Sequence, residues 1–197
     1  TTTGTTGDDT GEPGRELGST PNVLCEAAAA ELQVIVLENA SGAPDLATVT
    51  AAYLGEDGSG TALQELVHTW GGRLGRVESG VLVDEAAILD ALAAGTPADL
   101  VDVETRLHLV ISLLVRARID EVATALPEAD RSPDLLYAAW DDAYCWYQAV
   151  VRPHAEAADA LASELEPTAA DLQGAFEWGH GGIESEAAAF AIDEWTV

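Results

Sequence analysis

One segment, residues 97–128, constrains the fold of this chain more than any other. It reads PADLVDVETRLHLVISLLVRARIDEVATALPE, and successive residues of a helix lie about 100° apart around its axis. Apolar side chains then surround the axis almost completely between Leu107 and Val115. A helix that is apolar on every side needs other elements to cover it. The segment therefore predicts a central, buried helix.

The chain from Val23 onward supplies the helices that could cover it. Alanine-rich stretches with high helix propensity alternate with short Gly, Pro and Asn breakers. The predicted helices cover residues 25–38, 44–55, 60–70, 83–95, 97–128, 132–151, 153–165, 167–178 and 184–195. SGVLV, residues 79–83, is alternatively a short strand. The pattern predicts an all-α fold, an irregular bundle of about seven to nine helices.

The charge excludes several classes of partner. The chain carries 35 acidic and 8 basic residues, a formal net charge of −27, and all the basic residues are arginine. Such a surface repels nucleic-acid phosphates and anionic lipid. No stretch reaches the roughly 18 uninterrupted apolar residues typical of a membrane-spanning helix. We therefore expect no nucleic-acid partner and no membrane span.

The N-terminal residues 1–22, TTTGTTGDDTGEPGRELGSTPN, contain almost no large apolar side chain. They cannot bury enough surface to offset their ordering entropy, which predicts a flexible tether before a single helical domain of residues 23–197. The composition is typical of segments that space bacterial surface lipoproteins from their membrane. We expect an extracytoplasmic protein, at the cell surface or in the periplasm, with a lipid anchor upstream of Thr1.

The only two cysteines, Cys25 and Cys145, allow one intramolecular pairing. In an extracytoplasmic protein we expect them to form a disulfide. The alternative is two buried free thiols.

The chain has four histidines, and helical geometry predicts which way each one points. His68 and Glu65 lie on the opposite side of their helix from Leu63 and Leu66. This ExxH pair is therefore expected on a solvated face.

On the central helix, Glu104 and His108 are one turn apart and share the sector of Ile111. A carboxylate on such a face is costly to bury unless it is paired, hydrogen-bonded or metal-bound. Glu104 and His108 are therefore candidate metal ligands. The alternatives are an ion pair with Arg118 or a side-chain hydrogen bond within the helix.

The next candidate is His154, which shares a face with Ala158 and Leu161 and is expected to point inward. It lies near a predicted helix N-terminus, where the helix dipole favours the neutral ring that can ligate. A hydrogen-bonded core histidine is the alternative.

Asp141 flanks an aromatic stripe that includes Trp140 and Tyr144, while Asp142 is predicted to point away from it. We expect Asp141 to be buried and partnered by tyrosine hydroxyls or by a metal.

The stretch FEWGHGGIESE, residues 176–186, contains Glu177, His180 and Glu184. If the helix continues through its glycines, these three side chains lie within about 60° of one another. Each glycine disfavours a helix by about 1 kcal/mol relative to alanine, so the alternative is a turn. With the helix intact, the stretch predicts half of a metal site.

Inward imidazoles and carboxylates on several helices together suit iron, manganese or zinc better than calcium or magnesium. The predicted cofactor is a transition metal ion, with iron first. The predicted ligands are Glu104, His108, Asp141, His154, Glu177, His180 and Glu184.

Two stretches, AAWDDAYCWY at 138–147 and GHGGIESE at 179–186, resemble bacterial imelysin-like iron-uptake proteins and the helical iron-assimilation proteins of algal surfaces. The spacing differs from the imelysin motif GxHxxE, because Gly179 directly precedes His180. The resemblance implies iron handling in the periplasm or at a surface.

The sequence thus predicts a non-enzymatic surface protein that captures or stores a metal ion. The alternative function is a structural or adhesive envelope or fibre subunit, with homo-oligomer or envelope partners. A di-iron-type oxidase is a third interpretation, but it needs four carboxylates in strict geometry.

Overall fold

The computed structural model describes residues 16–74, 85–126, 132–161 and 168–185, with only the backbone for 72–74, 133, 161, 184 and 185. All regular structure in these ranges is helical, which confirms the all-α prediction. The α-helices are α1 (Val23–Ala40), α2 (Leu46–Leu54), α3 (Ala62–Leu74), α4 (Glu85–Ala94), α5 (Pro97–Ala125), α6 (Pro133–Trp146), α7 (Arg152–Leu161) and α8 (Ala169–Ser185). A π-helical segment, Tyr147–Val151, joins α6 to α7. The alternative strand at 79–83 lies outside the described residues.

Helix α5 is the central helix that the sequence predicts. It begins at a capping box, in which Thr96 and Asp99 each bond the other's backbone amide, with Pro97 in the first turn. Helices α1, α3, α4, α6 and the π segment all pack against it. Its buried side chains are Leu100, Val103, Leu107, Val110, Ile111, Leu114, Val115, Ile119 and Val122. They occupy about half of the helix circumference, and the partly buried Leu109 and Leu113 extend this surface, while Val101, Thr105 and Ser112 form an exposed strip. Because five other elements pack against it, α5 holds the bundle together.

Two predicted helix ends are wrong. Helix α3 continues through Gly71 and Gly72 to Leu74 rather than stopping at the glycine pair. Pro153 was expected to interrupt the chain and start a new helix, but the helical path from α6 continues through it. The π segment ends at Val151, two residues before the proline, and the Arg152 amide donates to the Tyr147 carbonyl five residues earlier. This wider turn accommodates a residue that has no amide hydrogen.

The segment before α1 is held against the bundle from residue 16 onward. The backbone amides of Gly18 and Thr20 donate to the carboxylate of Asp141 at 2.8 and 2.9 Å. The side chain of Asn22 caps α1 by accepting from the Cys25 amide. Residues 16–22, assigned to the tether from sequence, therefore belong structurally to the helical domain. Residues 1–15 lie outside the described part of the chain.

The disulfide prediction is confirmed. Cys25 in the first turn of α1 is bonded to Cys145 in the last turn of α6, across 120 residues of sequence. On the chain-entropy model, closing a loop of this length contributes about 4–5 kcal/mol. Among the described helices, none is both long and apolar enough to cross a membrane.

Candidate functional site

His108 and His154 come together although they are 46 residues apart. The π segment packs against α5 and brings the first turn of α7 next to His108. The two ring centroids are 4.1 Å apart and the ring planes are nearly perpendicular, at 86°. Nε2 of His154 lies 3.0 Å from Nδ1 and 3.1 Å from Nε2 of His108. Because the two distances are nearly equal, the His154 nitrogen does not lie along the lone pair of either His108 nitrogen.

Glu104 lies one turn before His108 on α5 and extends this cluster. Its Oε1 is 3.8 Å from Nε2 of His108, while its Oε2 accepts a 2.7 Å hydrogen bond from Nδ2 of Asn39. Asn39 also donates to the Leu100 carbonyl, so it fixes the carboxylate with one oxygen towards the histidines. The alternative Glu104–Arg118 ion pair is wrong, because Arg118 pairs with other carboxylates.

The cluster is half-buried and opens to solvent on one side. The side chains of Glu104 and His108 are 21% and 20% exposed, whereas His154 lies at the surface. The prediction that His154 points inward is wrong. The predicted helix N-terminus beside His154 is also wrong, because α6, the π segment and α7 form one continuous helical path.

Burial and the neighbouring His154 lower the pKa of His108 from 6.5 to about 4. The His108 ring is therefore neutral at pH 7, which is the form that ligates metals.

Helix α8 continues through Gly179, Gly181 and Gly182 to Ser185. The helix therefore stays intact, and the alternative of a turn is wrong. His180 is buried against Tyr137, with ring centroids 5.1 Å apart, and its Nε2 has no hydrogen-bond partner in the described structure. Glu177 instead faces solvent and accepts from Gln173. The structure therefore does not bring Glu177 and His180 together, and the side chain of Glu184 lies outside the described residues.

Asp141 is buried, as the sequence predicts, with 1% of its surface exposed. Its two carboxylate oxygens accept hydrogen bonds from the backbone amides of Gly18 and Thr20, so the expected tyrosine partners are wrong. Both oxygens are engaged by the chain itself.

Asp142 does not point away into solvent, which corrects the prediction for this residue. It is half-buried and accepts from Nε of Arg118 at 2.6 Å, from the Trp146 indole at 2.9 Å, and from the Asn22 amide. Nothing local in the sequence marks it, because Arg118 and Asn22 lie 24 and 120 residues away.

His68 lies on a solvated face, as predicted. Its side chain is 79% exposed and its Nδ1 is 3.2 Å from the carboxylate of Glu85. Glu65 is exposed too. This ExxH pair therefore takes no part in the His108 cluster.

The structure thus brings together three of the seven predicted ligands, Glu104, His108 and His154. Within the described ranges, no three His, Cys, Asp or Glu side chains are arranged so that they could hold a metal ion as they stand. Asn39 is the residue of the cluster that sequence reasoning misses, because an asparagine near a helix end has an ordinary capping role.

No protein-family model, no curated protein and no solved structure matches this chain. The resemblance to imelysin-like and algal iron-assimilation proteins stays a prediction that depends on the two stretches quoted above.

Proposed function

We propose that this protein is an extracytoplasmic domain that captures a transition metal ion between His108 and His154, with Glu104 as the third ligand. The observation that carries the proposal is the 3.1 Å separation between the two Nε2 atoms. Two nitrogens bound to one ion at about 2.0–2.1 Å, with an angle of about 90–109° between them, are about 2.8–3.4 Å apart.

Binding requires a rotation of the rings. The His154 nitrogen now lies over the face of the His108 ring, nearly equidistant from its two nitrogens, so His154 must swing towards the ring edge for both lone pairs to meet at one point. His154 is exposed and can turn without repacking the core. Glu104 is already held by Asn39 with Oε1 facing the pair, and a small movement would make it a ligand.

The ligand set suits iron, manganese or zinc, because two imidazoles and one carboxylate are intermediate in softness. The solvent-facing side leaves positions for water, and a net charge of −27 raises the local concentration of cations. A disulfide is typical of oxidising compartments, which supports the extracytoplasmic location.

Titration of chelator-treated protein with Co(II) tests the proposal, because the visible spectrum and isothermal calorimetry report ligation directly. We expect one ion per chain, displaced by Zn(II). His108→Ala and His154→Ala should each weaken binding more than tenfold, and Glu104→Gln should weaken it less.

His68→Ala is the matched control, because His68 also lies beside a carboxylate but outside the cluster. His180→Ala should likewise leave binding unchanged, since its ring is enclosed by the core. The titration is run in 0.5 M NaCl with excess Mg(II), which suppresses non-specific attraction to the acidic surface. Equal binding by wild type, His108→Ala and His154→Ala would refute the proposal.

A further inference from the structure

A cleft of about 430 Å³ opens on another face of the bundle, where α3, α5, α6 and the segment before α1 meet. Its walls are largely apolar and are formed by Leu66, Trp70, Leu114, Leu135, Ala138 and Trp146. Leu135 is 72% exposed at the cleft. A volume of this size falls in the range of about 300–1,000 Å³ that is typical of small-molecule sites.

Arg118 is one of the polar residues that line the cleft, and it is held firmly; the others are Thr20, Asn22, Glu121 and Asp142. Its guanidinium lies 4.7 Å from the centroid of the Trp70 ring. Nε donates to Asp142 at 2.6 Å and Nη1 donates to Glu121 at 2.8 Å. Nη2 makes no hydrogen bond to any residue that the structure describes, so its two N–H groups remain as fixed donors.

The charges around the cleft disfavour an anion, and its apolar walls disfavour any charged group. The single positive charge of Arg118 is opposed by two carboxylates, Asp142 and Glu121, and the whole chain is strongly acidic. An anion is therefore repelled. A cation is not repelled by this charge, but the apolar walls do not replace the water that it loses, and the N–H groups of Arg118 offer it no acceptor. A neutral molecule avoids both costs.

We propose that this cleft binds an uncharged, largely apolar small molecule carrying a hydrogen-bond acceptor, such as a carbonyl oxygen, which accepts from Nη2 of Arg118. The molecule covers the exposed side chain of Leu135 and packs against the indole walls, which removes apolar surface from water. The acceptor fixes its orientation, because the guanidinium cannot move without breaking its two ion pairs. This site shares no residue with the metal cluster.

Nile red tests the proposal, because it is neutral, has one ring carbonyl and fluoresces more strongly in apolar surroundings. Titration of the full chain, treated with chelator, should give a saturating, blue-shifted signal with one probe per chain. The anionic probe 8-anilinonaphthalene-1-sulfonate, of similar size, should bind at least tenfold more weakly. Equal or tighter binding of the anion would overturn the proposal.

Ala138→Phe fills the cleft and should weaken Nile red binding at least tenfold. Ala160→Phe, on the exposed surface of α7, is the matched control and should leave binding unchanged. Arg118→Met removes the donor and should weaken binding several-fold, with circular dichroism used to check that it folds. If Ala138→Phe and Ala160→Phe bind the probe equally, the cleft is not the site and the proposal is wrong.

Discussion

At the scale of single residues, His108 couples the candidate site to pH. Its pKa is lowered to about 4 in the folded protein, against 6.5 for an ordinary histidine. Between pH 4 and pH 6.5, His108 therefore binds a proton in the unfolded chain but not in the folded chain. His108 leaves the free energy of unfolding unchanged above about pH 6.5. It lowers that free energy progressively as the pH falls from 6.5 to 4.

We expect metal-free wild type to lose more stability between pH 7 and pH 4 than His108→Gln does. The difference should be on the order of 1–2 kcal/mol once solvent screening at this partly exposed site is allowed for. Urea unfolding at each pH measures it. Identical pH profiles for the two proteins would contradict the assignment.

Asp141 makes a second residue-scale prediction, because its carboxylate is the acceptor for two backbone amides of the N-terminal segment. Asp141→Ala leaves both amides without their partner and should lower the free energy of unfolding by about 2–4 kcal/mol. Asp90→Ala on the exposed face of α4 should change it by less than about 0.5 kcal/mol. Similar losses from both variants in denaturant titrations would show that the two bonds contribute nothing.

At the scale of elements, α8 shows that three glycines do not end a helix when its neighbours bury one face. Phe176, His180 and Ile183 lie in the core, and the tertiary packing offsets the low propensity of the glycines. The sequence could not decide this point, because propensity and burial act in opposite directions.

The helix interpretation predicts opposite effects at two glycines. A Cβ at Gly181 meets no atom within 4 Å, so Gly181→Ala should stabilise the protein by about 0.5–1 kcal/mol. Gly95 has a φ of +65°, and a Cβ there lies 2.8 Å from Leu46 Cδ2. Gly95→Ala should therefore destabilise by at least about 1 kcal/mol. Thermal unfolding measures both, and a destabilised Gly181→Ala would argue for a turn in α8.

At the scale of the whole molecule, the disulfide and α5 connect the parts of the bundle. Cys25–Cys145 fixes α1 to the end of α6, close to the residues that hold the N-terminal segment. The Cys25→Ser/Cys145→Ser double variant should lose about 2–5 kcal/mol of unfolding free energy. Calorimetry with and without a reducing agent checks it: the reductant should lower the wild-type melting temperature and leave the double variant unchanged. A wild type that melts at the same temperature in both buffers would contradict the expected contribution.

The sequence by itself determined the features that depend on local pattern and composition. Apolar residues almost all round the axis between Leu107 and Val115 indicated a central helix, two cysteines allowed a single pairing, and the aromatic stripe identified Asp141 as a buried carboxylate. The solvated face of His68 followed from helical spacing alone. These results need only the cysteine count and the angle between residues of one helix.

Only the tertiary structure decided which side chains meet. His108 meets His154, Asp142 meets Arg118, and Asp141 meets the amides of Gly18 and Thr20, all across different elements. Such contacts depend on how helices cross and on whether the helical path continues through Pro153. The periodicity of a single helix contains no information on either point. The exposure of His154 and the enclosure of His180 have the same cause, because the rotation of a helix in a bundle is set by the surfaces that pack against it.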